Sequence, residues 1–191
     1  MKKIFTPTIT WRGIERIQRH PAGFIALFLT FLVLGQMMHK TAAPYLNGSF
    51  FEISYALPVV YLINTLAPED EVRFEGNILI SRNHGETYTL TDSCDTFSIY
   101  ILLFAAIMAF PLSPKKRLKG LLWGGGFTHS VNLTRLVILY FLRIHHPNLF
   151  DFSHVYILRS AAILSVLAFF IYWVEHGNTA SKRIEGTDNA A

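Results

Sequence analysis

The sequence predicts an all-α membrane protein: a polytopic helical bundle of about four transmembrane helices, one interfacial or re-entrant helix, and a small extracytoplasmic β-hairpin. Three observations predict it. Of the 191 residues, 51% are hydrophobic and 16% charged, against roughly 25% charged in soluble domains. Four apolar runs approach the ~20 residues that cross about 30 Å of hydrocarbon. Basic residues cluster beside those runs, so the net charge of +4 speaks of membrane topology and not of a nucleic-acid surface.

The first run, Ala22 to Met38, follows a basic segment and ends near Thr41-Ala42-Ala43, which superficially resembles a signal-peptide cleavage site. Pro44 would follow the cut, so an uncleaved first span is expected. Phe50 to Ala67 is apolar but interrupted by Glu52, Ser54, Pro58 and Asn64. It is expected to lie on, or re-enter, the outer face. Between Val72 and Leu90 the pattern changes: Asn77-Ile78-Leu79-Ile80 and Thr87-Tyr88-Thr89-Leu90 flank Asn83-His84-Gly85, which predicts a hairpin. Three more spans follow, over Phe97 to Leu112, Leu118 to Arg143 and Val155 to Val174. Residues 1–176 read as one membrane-embedded domain, and the polar, small-residue tail 177–191 as disordered. No internal repeat is evident.

Charge fixes the orientation. With the amino terminus inside, the clusters Lys2–Arg19, Lys115–Lys119 and Lys182-Arg183 are all cytoplasmic, and only Lys40, Arg73, Arg82 and Arg143 face outward. This holds for four spans if Phe50 to Ala67 does not cross. Cys94, the end of the span bearing Arg135, and His154 then share the extracytoplasmic side.

Cys94 is the single cysteine, set in Asp92-Ser93-Cys94-Asp95-Thr96 at the mouth of a span. It has no intramolecular disulfide partner, and a thiol at such a place is either a small buried hydrophobe or a nucleophile. Thr128, Asn132 and Arg135 are spaced by four and three, which puts them on one helical face. An arginine at the bilayer centre costs about 2.5–3.5 kcal/mol on insertion scales, so Arg135 is expected to face protein or a wet cavity. Pairing with Asp95 or Asp151, with Asn132 as an interhelical hydrogen bonder, is the purely structural alternative. His154 opens the last span, where it meets both water and protein. In chemical terms a cation lowers the thiol pKa, Arg135 stabilises first the thiolate and then an oxyanion, and His154 protonates a leaving amine. No histidine pair has metal-ligand spacing with the one cysteine, so neither metal nor other cofactor is expected.

These residues resemble the exosortase and archaeosortase family of membrane cysteine transpeptidases. The resemblance rests on Cys94 at a span entrance, His129-Ser130-Val131-Asn132-Leu133-Thr134-Arg135-Leu136-Val137 inside a span, and Phe150-Asp151-Phe152-Ser153-His154-Val155-Tyr156 opening the next. It covers about Val72 to Trp173, and the small size and motif pattern are most similar to the compact H type. Thr96 departs from the family, whose members often carry glycine two residues after the cysteine. The resemblance implies Cys94 as nucleophile, Arg135 as thiolate and oxyanion stabiliser, and His154 as general acid and base. Archaeal relatives use arginine in the third role, but Arg159 is five residues beyond His154, about 140° around a helix. It is therefore assigned, with Asn132 and Thr128, to substrate binding. The implied reaction cleaves the C-terminal sorting signal of secreted proteins (motif, transmembrane helix, basic cluster) through a Cys94 thioester. The product is sorted to the cell envelope. The implied place is a prokaryotic cytoplasmic membrane, with the lipid bilayer and those substrates as partners.

A non-enzymatic alternative is a membrane transport or binding subunit that uses Asn132 and Arg135 for an anionic ligand. A scaffold that keeps the substrate groove without turnover is a third reading. Gly120, Gly124, Gly125 and Gly126 serve either ordinary helix packing or the close approach of a substrate helix.

Overall fold

The computed structural model describes residues 20–46, 52–75, 78–83, 85, 87–89 and 96–188. Helix α1 (Pro21–Leu46) comes first, then a π-turn (Glu52–Ala56) runs straight into α2 (Leu57–Leu66). A 3-10 turn (Pro68–Asp70) leads to strands β1 (Val72–Glu75), β2 (Ile78–Ser81) and β3 (Thr87–Thr89). Helices α3 (Thr96–Ala109), α4 (Pro114–His145) and α5 (Pro147–Phe152), a second π-turn (Ser153–Ile157) and α6 (Leu158–Asp188) complete the order. The fold is mostly helical. Two stretches, Pro21–Thr41 and Pro147–Glu175, are long and apolar enough to cross a bilayer.

The other expected spans differ in length. Helix α3 stops at Ala109 after 14 residues, a rise of about 21 Å, because Pro111 and Pro114 interrupt the chain. Helix α4 has 32 residues and rises about 48 Å. Helix α2 has ten residues, about 15 Å, half the hydrocarbon thickness. At the other end α6 stays helical to Asp188, past Gly177, where the composition predicts disorder. Ala180, Lys182, Arg183 and Glu185 propagate a helix already nucleated.

Helices α1 and α3 pack antiparallel along their length. Phe24 meets Phe110 edge-on at 6.0 Å, Phe31 meets Phe104 at 6.5 Å, and His39 stacks on Phe97 at 5.0 Å. Between these rungs Gly35 lets Ile101 approach its Cα. The opposite side of α1 exposes Ile25, Leu29, Val33, Met37 and Met38, an apolar face of the kind lipid covers.

Helix α4 packs through its glycines. A Cβ on Gly120 would lie 2.7 Å from the Trp173 indole nitrogen, and one on Gly124 would lie 2.7 Å from Leu103 and 2.8 Å from Phe169. Gly125 and Gly126 face open space. Ordinary packing therefore accounts for Gly120 and Gly124 and not for the other two. Gly124→Ala should destabilise the protein by about 1–3 kcal/mol through overpacking, whereas Gly125→Ala should be neutral or gain up to about 1 kcal/mol of helix propensity. Thermal unfolding in detergent checks this; equal midpoints for the two variants would refute the packing assignment.

The expected hairpin is present as β2 and β3, paired antiparallel from Ile78↔Thr89 to Ile80↔Thr87, with Gly85 at φ 61° in the turn. That left-handed value suits glycine, which has no Cβ to clash. Asn77, His84 and Leu90 lie outside the described residues. A further strand, β1, pairs with β2 from Val72↔Ser81 to Glu75↔Ile78, so the sheet has three strands in the order β1-β2-β3 among the described residues. Asn64 anchors it. Its side-chain amide donates to the Val72 carbonyl at 2.9 Å and its carbonyl oxygen accepts the Val72 N–H at 2.8 Å.

Two apolar clusters organise the interior. One joins Tyr55, Val59 and Ile63 to Val72, Leu79, Leu136, Leu139, Tyr140 and Phe150 under the sheet. The other joins Ile99, Leu103 and Ile107 of α3 to Ala162 and Val166 of α6. Along α4, Val131 packs on the second cluster and Leu136 on the first. The Thr128–Arg135 segment spans the junction.

Candidate functional site

The buried face of α4 advances by threes and fours through Gly120, Gly124, Thr128, Asn132, Arg135 and Leu139. That period is the helix's own, so the polar trio points where the glycines point, into the bundle. Thr128 is 1% exposed, Asn132 2% and Arg135 4%. The single-face placement expected from their spacing is observed.

None of the trio is satisfied internally. Thr128 Oγ1, both Asn132 side-chain polar atoms and Arg135 Nε are buried without a hydrogen-bond partner among the described residues. Arg135 makes no ion pair among the described residues, so Asp151 does not hold it there; Asp95, the other partner weighed from sequence, lies outside those residues. Buried polar groups are almost always paired, and an orphan costs about 1–3 kcal/mol. These four buried polar atoms share one short stripe of the helix.

His154 stands in the π-turn Ser153–Ile157, half-buried, its ring 5.6 Å from Phe150. It lies within electrostatic reach of Arg135, Arg159 and Asp151. Arg135 is thus one of the charges His154 feels. The expectation that Arg159 turns away from His154 used regular helical spacing, but the π-turn adds a residue to the circuit and brings positions five apart toward one side. Arg159 is exposed.

Cys94 lies outside the described residues. Two positions on, Thr96 opens α3. Leu103 of α3 sits against Gly124 of α4, and these sequential helices run antiparallel. Seven residues back from Leu103 is Thr96, and seven on from Gly124 is Val131. The start of α3 thus lies at about the level of Asn132.

Other polar contacts tie the surrounding elements to α3 and α4. The Tyr55 hydroxyl donates to that of Tyr100 at 3.3 Å, and the Tyr55 ring lies 5.1 Å from His129. Burial, then the Tyr100 contact, raises the Tyr55 phenol above its ordinary range and keeps it protonated. Asp70 is 3% exposed and accepts the Tyr140 hydroxyl at 3.0 Å, which ties the 3-10 turn to α4. At the top of α4, Arg143 lies over the Phe150 ring at 5.5 Å.

No family model matches the chain, and no curated protein or solved structure does either.

Proposed function

We propose that this chain is a membrane-embedded cysteine peptidase and transpeptidase, with four spans and its site on the extracytoplasmic side of a prokaryotic cytoplasmic membrane. The observation that carries the reading is Arg135: a guanidinium 4% exposed, its Nε without a partner, within electrostatic reach of His154. A cation held unpaired inside a bundle is kept ready for an anion that forms during turnover.

In this reading the Cys94 thiolate attacks the scissile carbonyl, and Arg135 stabilises the oxyanion. Collapse breaks the C–N bond and leaves an acyl thioester on Cys94, while His154 gives its proton to the departing amine. An acceptor amine or water then attacks the thioester and returns the thiol. The substrates are secreted proteins whose C-terminal signal combines a short motif, a transmembrane helix and a basic cluster, as the exosortase resemblance implies.

The unpartnered donors of Asn132 and Arg135 also favour a second reading, an anion-binding transport subunit. Trapping separates the two. Incubating the purified full-length protein with sorting-signal peptides should yield a hydroxylamine-sensitive peptide adduct on Cys94, read by mass spectrometry. Absence of any adduct, together with phosphate or acetate binding that persists in Cys94→Ala and vanishes in Arg135→Ala, would overturn the peptidase in favour of the transporter.

A further inference from the structure

Asn132 is the least explained side chain in the bundle. It is 2% exposed, and both its carbonyl oxygen and its amide nitrogen lack partners among the described residues. An anion offers only acceptors and would leave Asn132 Oδ1 facing lone pairs. A ligand that satisfies both atoms presents one donor and one acceptor side by side.

The same molecule contains an asparagine that has found such a partner. Asn64 spends its amide on a single residue of an extended strand, accepting the Val72 N–H at 2.8 Å and donating to the Val72 carbonyl at 2.9 Å. A residue in a strand turns its N–H and C=O to the same side, which is the pair a carboxamide matches.

We propose that Asn132 is a backbone clamp that holds one residue of an extended substrate peptide by the two bonds Asn64 makes to Val72. This rests on the peptidase reading and names its substrate's conformation. A helical peptide does not fit, since its N–H and C=O groups are consumed within the helix. Unwinding a segment near a membrane strips those bonds, and Asn132 supplies a replacement for both. Access is provided on the same face: Gly125, seven residues before Asn132 and so at nearly the same azimuth, has no heavy atom within 4 Å of a Cβ position.

The test uses full-length Cys94→Ala protein in nanodiscs, which binds without turnover, and a randomised heptapeptide library as the probe. Retained peptides are resynthesised with a single backbone N-methyl group at each position in turn. One position should weaken binding at least tenfold, by removing the N–H that Asn132 accepts. In the Cys94→Ala/Asn132→Leu protein the parent peptide should bind at least tenfold more weakly, and methylation at that position should have no further effect. Failure to retain any peptide, indifference to every N-methyl group, or equal affinity with leucine at the position each overturns the clamp. The N-methyl scan needs no change at Asn132, so misfolding of that variant does not decide the outcome. Thioester formation on the unaltered Cys94 protein is scored separately: an adduct with N-methyl-indifferent binding removes the clamp and leaves the peptidase, whereas no adduct removes both.

Discussion

Arg135→Met is expected to reduce substrate processing by about 10³-fold or more while raising the thermal stability of the resting protein. The activity loss follows from the oxyanion role, since removing one such donor costs about 10²–10³, and loss of support for the Cys94 thiolate adds to it. The stability gain follows from burial. Arg135 is 4% exposed and its Nε has no partner among the described residues, and its chain neighbours Leu133 and Leu136 join the apolar cluster under the sheet. Methionine keeps an unbranched, flexible stem and removes the uncompensated charge. Single-turnover processing and tryptophan-detected unfolding in detergent measure the two halves. A purely structural arginine gives the opposite pairing, with stability and activity falling together. Arg135→Lys should recover only part of the activity, because an ammonium keeps the charge but not the planar fork.

The polar stripe was legible because the helical period gives a four-and-three spacing one meaning: Thr128, Asn132 and Arg135 share a face, and burial sorts that face inward. The hairpin was legible because Asn83-His84-Gly85 between β-prone pieces is local turn chemistry, and Gly85 adopts the positive φ it predicts. What the sequence hid depends on distance along the chain. Strand β1 is four residues long and alternates apolar with charged, and its anchor is the Asn64 side chain eight positions earlier. Asp70 belongs to a Pro-Glu-Asp turn that reads as solvated, yet its partner Tyr140 is 70 residues away. The Tyr55–Tyr100 contact spans 45 residues and carries no periodic signature. The π-turn at Ser153–Ile157 changes the number of residues per turn between His154 and Arg159, which no spacing rule for a regular helix anticipates.

These long-range ties bear on the site. Asn64, Asp70 and Tyr140 fix α2, the 3-10 turn and the sheet against α4, with Ser81 of β2 also hydrogen-bonded to the Asp70 carbonyl. The segment carrying Cys94 joins β3 to α3, so both of its ends are attached to elements that α4 itself organises. A reactive group delivered by a loop is positioned by what holds the loop's ends.

Cys94→Ala is expected to lower processing by at least about 10⁴-fold, to the uncatalysed background, without shifting the unfolding midpoint. The magnitude matters less than how it combines with the others. Residues that act as one unit are grossly non-additive when removed together, because once the nucleophile is gone its supporting groups have nothing left to stabilise. Arg135→Met and His154→Ala should each be severe alone, yet either one added to Cys94→Ala should change the residual rate by less than about threefold. The prediction draws on the electrostatic influence of Arg135 on His154 and on the start of α3 at about the level of Asn132. If instead the losses multiply, the three residues contribute independently, and the stripe on α4 serves binding while the chemistry lies elsewhere. A processing rate untouched by Cys94→Ala removes the nucleophile outright and leaves Asn132 and Arg135 as a ligand site in a protein that catalyses nothing through its thiol.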